Sequence, residues 1–247
     1  MLGLPTGVDA CLFDLDGVLT QTAKVHAAAW KTMFDEYLSR RASARGEEYV
    51  PFDPVADYEK YVDGRPRYDG VSAFLSSRGI ELPRGTPQDD PAAETNDGLG
   101  NRKNELVQRL IREDGVEAYE GSVRYVRATR DAGLRRAVVS SSANCHEILV
   151  AAGIEDLFEV RIDGIVAERD HLRGKPAPDT FLAGARALGL EAGEAVVFED
   201  ALAGVEAGRA GHFRYVVGVD RVGQADALKA HGADTVVTDL AELLGSS

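Results

Sequence analysis

Val8-Asp9-Ala10-Cys11-Leu12-Phe13-Asp14-Leu15-Asp16-Gly17-Val18 is the stretch that decides the fold. Residues 8–13 form a short, mainly apolar run that gives way to two carboxylates, Asp14 and Asp16, just ahead of Gly17, where a tight turn is permitted. Further apolar runs ending in polar residues follow at 136–139, 159–162, 195–198, 215–219 and 235–237. Such runs read as strands buried on both faces, as in parallel sheets. Between them lie helix-like stretches at 122–132, 145–152, 179–188, 203–210 and 225–230, several closed by a glycine such as Gly133 or Gly189. Strand alternating with helix predicts an α/β fold with a Rossmann-like, doubly wound parallel sheet.

Residues 20–117 break this rhythm. They offer helical patterns at 24–38, 69–78 and 102–112 but no strand, which predicts an α-helical domain inserted after the first strand. The core is then expected from residues 1–19 and 118–247. Within the insert, 39–54 and 82–100 are rich in Pro, Gly, Asp and Arg and read as loops.

With 247 residues, the chain is long enough for one core and a smaller satellite domain. Forty-one acidic against 28 basic residues give a formal charge of −13, which argues against nucleic acid or an anionic membrane as partner. An anionic substrate must therefore be captured by local cations. Cys11 and Cys145 have no metal or redox spacing and read as reduced thiols. No apolar run approaches the roughly 20 residues of a membrane span, and the N-terminus lacks a basic start followed by an apolar stretch. The expectation is a cytoplasmic protein and, with no long exposed apolar stripe, a monomer.

In a doubly wound sheet, ligands bind outside the carboxyl ends of the strands, where the connections diverge. Alone, Asp14 and Asp16 would be ordinary turn-capping acids. A second acidic pair, Glu199-Asp200, ends the fourth run, so four carboxylates are expected to converge. Such a cluster needs a cation, and hard oxygen ligands with room for water and phosphate suit Mg²⁺. The second run ends in Ser140-Ser141-Ser142-Ala143-Asn144, whose hydroxyls and following helix amides suit a phosphoryl group. Lys175 stands in the Pro-framed stretch Gly174-Lys175-Pro176-Ala177-Pro178-Asp179.

The order D-x-D-G, S, K-P-x-P-D, E-D resembles the four motifs of the haloacid dehalogenase superfamily, and the resemblance covers essentially the whole chain, with 20–117 standing where that family carries a helical cap. The resemblance implies phosphoryl transfer through an aspartyl-phosphate. Asp14 would be nucleophile and Asp16 general acid/base. Ser140 and Lys175 would contact phosphate, and Asp14, Asp16 through its carbonyl, Glu199 and Asp200 would hold magnesium. A carboxylate attacks phosphorus only if the repelling charges are neutralised, which fits that assignment.

Within the insert, Thr22-x3-His26-x3-Trp30 resembles the hinge of the β-phosphoglucomutase-like family, whose substrates are small phosphorylated sugars. The stretch Val62-Asp63-Gly64-Arg65-Pro66-Arg67 resembles the segment of that family whose Arg binds the distal phosphate, which implies that role for Arg67, beside Gly64. Asn101-Arg102-Lys103-Asn104-Glu105 resembles one of its cap helices, which points to Lys103, and the order Ser140, Ser142, Asn144 resembles its second motif. The implied reaction interconverts β-glucose 1-phosphate and glucose 6-phosphate through a bisphosphorylated sugar. Gln21 and Asp63 depart from the family pattern, which has an acid and a lysine there. A sugar-phosphate phosphatase on the same core is the alternative, and a non-catalytic binding domain is the reading from another class.

Overall fold

A computed structural model describes residues 2–245. The chain divides into two compact units, one of Met1–Thr22 with Val116–Ser247 and one of Ala23–Gly115. Along the chain the strands are β1 (Ala10–Phe13), β2 (Arg135–Val139), β3 (Val160–Ile162), β4 (Ala195–Glu199), β5 (Tyr215–Val219) and β6 (Thr235–Val237). The helices are α1 (Ala23–Arg45), α2 (Arg67–Ser77), α3 (Asn96–Asp114), α4 (Glu120–Asp131), α5 (Cys145–Ala151), α6 (Gly164–Arg169), α7 (Asp179–Ala187), α8 (Leu202–Ala210) and α9 (Ala225–Ala230).

The six strands form one parallel sheet in the order β3-β2-β1-β4-β5-β6. This is the doubly wound order, with its direction reversing between β1 and β4, where ligands bind in such sheets. Every residue of β1 is buried because both faces are covered, which explains why its sequence is apolar without alternation. Ala10 and Leu12 pack on one face with Val139, Val197 and Phe181. On the other face Phe13 stacks on Phe198 with ring centroids 4.5 Å apart, and Tyr125 of α4 meets both rings edge-on. Phe13 pairs in register with Val138 of β2 and Phe198 of β4. The residues that follow these three strand ends are therefore brought together by the register.

The helical unit holds α1, a π-helical turn at Tyr58–Val62, α2 and α3 around a core that includes Trp30, Phe34, Phe52, Phe74 and Leu99. Two stretches differ from the loops expected there. Residues 39–45 continue α1, because Leu38 and Ala42 prolong its buried stripe and Arg and Ala are strong helix formers. Residues 96–100 already belong to α3, which Thr95 caps by accepting Gly98 N–H at 2.9 Å. Gly100 is not a loop glycine: a Cβ there would lie 2.6 Å from the Tyr68 ring.

In the α/β unit, α6 was not apparent from the sequence; it is a short helix capped by Asp163, which accepts Val166 N–H at 2.9 Å. Cys11 and Cys145 are buried and unlinked, and burial pushes both thiols up. Among the described residues no helix is long and apolar enough to cross a membrane.

Candidate active site

At the carboxyl ends of β1 and β4, ligand atoms of Asp14, Glu199 and Asp200 all lie within 4.8 Å of one another. Lys175, 2 % exposed, donates to Asp14 Oδ1, sits 2.5 Å from Glu199 Oε1 and donates to Val139 O at 3.2 Å. Burial opposes the charge on Lys175, but Asp14 and Glu199 outweigh it and hold its pKa above the usual lysine value. Burial pushes the Asp14 carboxyl well up. Lys175 pulls it back, and Glu199 and Asp16 push it up again. One ammonium thus faces more negative charge than it can balance. An all-oxygen set of three carboxylates with surplus charge fits a divalent cation.

Gly17 fixes how closely these groups can pack. It has a φ of +81°, and a Cβ there would lie 1.7 Å from Asp200 Oδ2, so only glycine lets the turn after Asp16 meet the Asp200 carboxylate. Thr22 donates its hydroxyl proton to Asp16 Oδ1. The Thr20 hydroxyl lies 2.8 Å from that of Thr22. Since the Thr22 proton is committed to Asp16, the Thr20 proton is the one this contact uses, shared with Leu15 O at 3.2 Å. Both threonines are buried, and they hold Asp16 in one orientation. After β2, Ser140 and Ser142 accept the N–H groups of Ser142 at 3.0 Å and Asn144 at 3.2 Å. Each hydroxyl keeps its own proton to donate. Asn144 is buried just ahead of α5.

In the helical unit, His26 and Trp30 are buried one turn apart on α1. The Lys103 ammonium lies 2.8 Å from His26 Nδ1 and 4.9 Å from the centre of the Trp30 ring. An ammonium can only donate, so Nδ1 accepts and the ring proton sits on Nε2. Trp30 is 2 % exposed and stacks on Phe34, so it is a core side chain that also presents a ring face to Lys103. Gly64 adopts a φ of +66° in the turn before α2. Arg67 opens α2 and donates to Tyr68 Oη at 2.8 Å with its guanidinium over the same ring. Tyr68 donates onward to Asn101 Oδ1 at 3.0 Å, and Asn101 donates to the carbonyls of Pro87 and Asp89.

Thr20, Tyr68 and Asn101 were not singled out in the sequence. Thr20 looks like any turn threonine until its distance to Thr22 is seen. The Tyr68–Asn101 bond spans 33 residues and leaves no local pattern.

A family model for haloacid dehalogenase-like hydrolases matches residues 8–212. The chain is 58% identical over 247 residues to the beta-phosphoglucomutase of Mycobacterium tuberculosis, covering 99% of this chain and 94% of that protein. Among solved structures it is similar to the beta-phosphoglucomutase of Clostridium difficile, with a TM-score of 0.74 and 25% identity over 96% of this chain and 93% of that one. It is also similar to a HAD family hydrolase of Deinococcus radiodurans with bound phosphate and sodium, with a TM-score of 0.62 and 30% identity over 97% and 94% of the two chains.

Proposed function

The chain belongs to the haloacid dehalogenase-like hydrolase family, and on that premise we propose that it is a magnesium-dependent β-phosphoglucomutase, interconverting β-glucose 1-phosphate and glucose 6-phosphate through glucose 1,6-bisphosphate. The observation that carries this is the buried Asp14, tied to Lys175 and flanked by Glu199 and Asp200, in a chain so similar over its length to a beta-phosphoglucomutase.

A carboxylate oxygen of Asp14 attacks the phosphorus of the donor, and the bond from phosphorus to the sugar oxygen breaks. Asp16 delivers the proton that the departing oxygen needs. In the return half, Asp16 takes the proton from the other sugar hydroxyl, which attacks the same phosphorus and frees Asp14. Lys175, Ser140 and Ser142 donate to the transferring group's oxygens, with Asn144 alongside. Asp14, Glu199, Asp200 and the Asp16 carbonyl would hold the Mg²⁺, which supplies charge neutralisation on the phosphoryl oxygens. Thr22 keeps Asp16 aimed between the two half-reactions.

A mutase must also hold a second phosphate while the sugar changes ends, and a phosphatase needs no such site. We assign that phosphate to Arg67, whose planar guanidinium suits a dianion, with Lys103 as a second cation supported by Trp30 and His26. The sugar phosphate and the cytoplasm, where it is made and used, complete this reading.

The test is a two-channel assay with Mg²⁺, β-glucose 1-phosphate and a trace of glucose 1,6-bisphosphate, in which glucose 6-phosphate and free phosphate are followed separately. Rapid glucose 6-phosphate formation with little free phosphate, lost in Asp14→Asn, is the expected result. Free phosphate as the main product would replace the mutase with a phosphatase.

A further inference from the structure

β5 ends at Val219, and residues 220–224 connect it to α9. The Asp220 carboxylate accepts the N–H groups of Gly223 at 2.7 Å, Gln224 at 2.8 Å, Ala225 at 3.1 Å and Val222 at 3.2 Å. Four bonds to one side chain make this loop a rigid platform. Two side chains leave it for the turns that carry the reacting carboxylates. Arg221 Nε donates to Gly17 O at 2.8 Å, and one of its terminal nitrogens lies 3.5 Å from Val18 O. Gln224 Nε2 donates to Asp200 O at 3.1 Å.

The Arg221 guanidinium is held from behind as well. Its carbon lies 3.6 Å from the centre of the Tyr119 ring, its other terminal nitrogen donates to Thr238 O at 2.6 Å, and the Asp239 carboxylate stands 3.6 Å away. Ser122, 3.4 Å from the guanidinium, donates its own proton to Val18 O at 2.6 Å. The side chain is 15 % exposed and so largely shielded. The nitrogens at the guanidinium edge thus meet carbonyls and a carboxylate while its flat face lies on an aromatic ring, a combination a lysine cannot reproduce.

We propose that Arg221 is a positioning residue for phosphoryl transfer, fixing the turn after Asp16, and that Gln224 does the same for the turn that carries Asp200. Gly17 is the softest joint of the site, because a glycine at positive φ has other conformations available. Its carbonyl is also the one Arg221 grips. With the grip lost, the Gly17–Val18 peptide can rotate about the Gly17 dihedrals, and Asp16 before it and the Asp200 carboxylate packed on Gly17 shift with the turn. This rests on the assignment of Asp14 and Asp16 made above.

The test compares Arg221→Met, Arg221→Lys and Gln224→Ala with Arg214→Met, which removes an arginine–carbonyl tie to Thr6, away from these turns. Each variant is assayed with Mg²⁺ and β-glucose 1-phosphate at a temperature where circular dichroism shows it fully folded, and Mg²⁺ binding is measured by calorimetry without substrate. In Arg221→Met, kcat should fall about 10- to 100-fold with KM changed less than about threefold, as expected of a misplacement near 1 Å. Arg221→Lys should recover little of that loss, Gln224→Ala should weaken Mg²⁺ binding severalfold, and Arg214→Met should keep kcat. Full kcat in folded Arg221→Met or Arg221→Lys, or an equal loss in Arg214→Met, would overturn the proposal. Failure of the underlying assignment looks different: Asp14→Asn would then match the wild type.

Discussion

The two units carry buried charge of opposite sign, assembled in different ways. In the α/β unit, Asp14 and Glu199 are buried against one ammonium, Lys175, with Asp200 beside them. In the helical unit the buried Lys103 rests on an imidazole and an indole, and Arg67 rests on Tyr68. The buried acid of that unit, Asp97, faces Arg84 at 3.1 Å. Under the proposed function, the first group would take a cation and the second an anion. Strand register delivers the first group, whereas aromatic faces on helices support the second.

The largest expected effect strikes the acidic group. Asp14→Asn should lower kcat on the order of 10⁴-fold or more, as loss of a nucleophile does. It should also raise the melting temperature of the metal-free protein at neutral pH. Burial raises the Asp14 pKa, so folding disfavours its ionised form. The stability it contributes is present below its ordinary value near 3.8 and is lost as pH rises towards the raised one. The asparagine variant lacks that decline. A melting series across pH that shows the same slope for both proteins would contradict the charge surplus.

Metal removal is the next step down. Chelation should abolish turnover, and saturating Mg²⁺ at a hundredfold excess over its dissociation constant should stabilise the protein by about 2.7 kcal/mol. Asp200→Asn should shrink that gain, and Lys103→Met should leave it intact, since only the first residue belongs to the acidic group. Melting curves with and without Mg²⁺ separate the two units in one experiment.

The same contrast explains what the sequence made legible. Asp14, Asp16, Glu199 and Asp200 stand at the ends of apolar runs, so strand periodicity alone brings them to one edge. Lys175 and Ser140 stood out only through the motif order that resembles the haloacid dehalogenase superfamily, since alone they read as a surface lysine and a cap. Thr20, Arg221 and Tyr68 were not, because their partners are side-chain or carbonyl oxygens that no periodicity marks. The helical unit misled at two points for physical reasons. Residues 39–45 look like a charged loop but prolong a buried stripe on α1, and Gly100 looks like a breaker but makes room for a ring. Glycine and arginine mark loops only when nothing packs against them.

Arg67 tests the cationic group. Arg67→Lys keeps the charge but loses the planar fork, and should raise KM for the sugar phosphate about 10- to 100-fold, as loss of hydrogen bonds to a charged group does. Mg²⁺ binding should not change. Steady-state kinetics beside calorimetry read both quantities, and a lower kcat at constant KM would move Arg67 out of ground-state binding.

The smallest effect is a competition between two terms at Gly100, inside α3. Replacing a mid-helix glycine by alanine ordinarily stabilises by about 0.8–1.0 kcal/mol. Here the new Cβ would meet Tyr68 Cδ1 at 2.6 Å and Cε1 at 2.9 Å. The ring cannot swing freely, since its hydroxyl bonds both Arg67 and Asn101. Overpacking costs about 1–3 kcal/mol, so Gly100→Ala should destabilise by about 1 kcal/mol net. Because Tyr68 carries Arg67, KM should rise while kcat at saturation holds. In a Tyr68→Leu background the ring is gone, and the same substitution should become stabilising. A double-mutant cycle in denaturant reads that change of sign, and additivity of the two substitutions would mean that Gly100 does not hold the ring beneath Arg67.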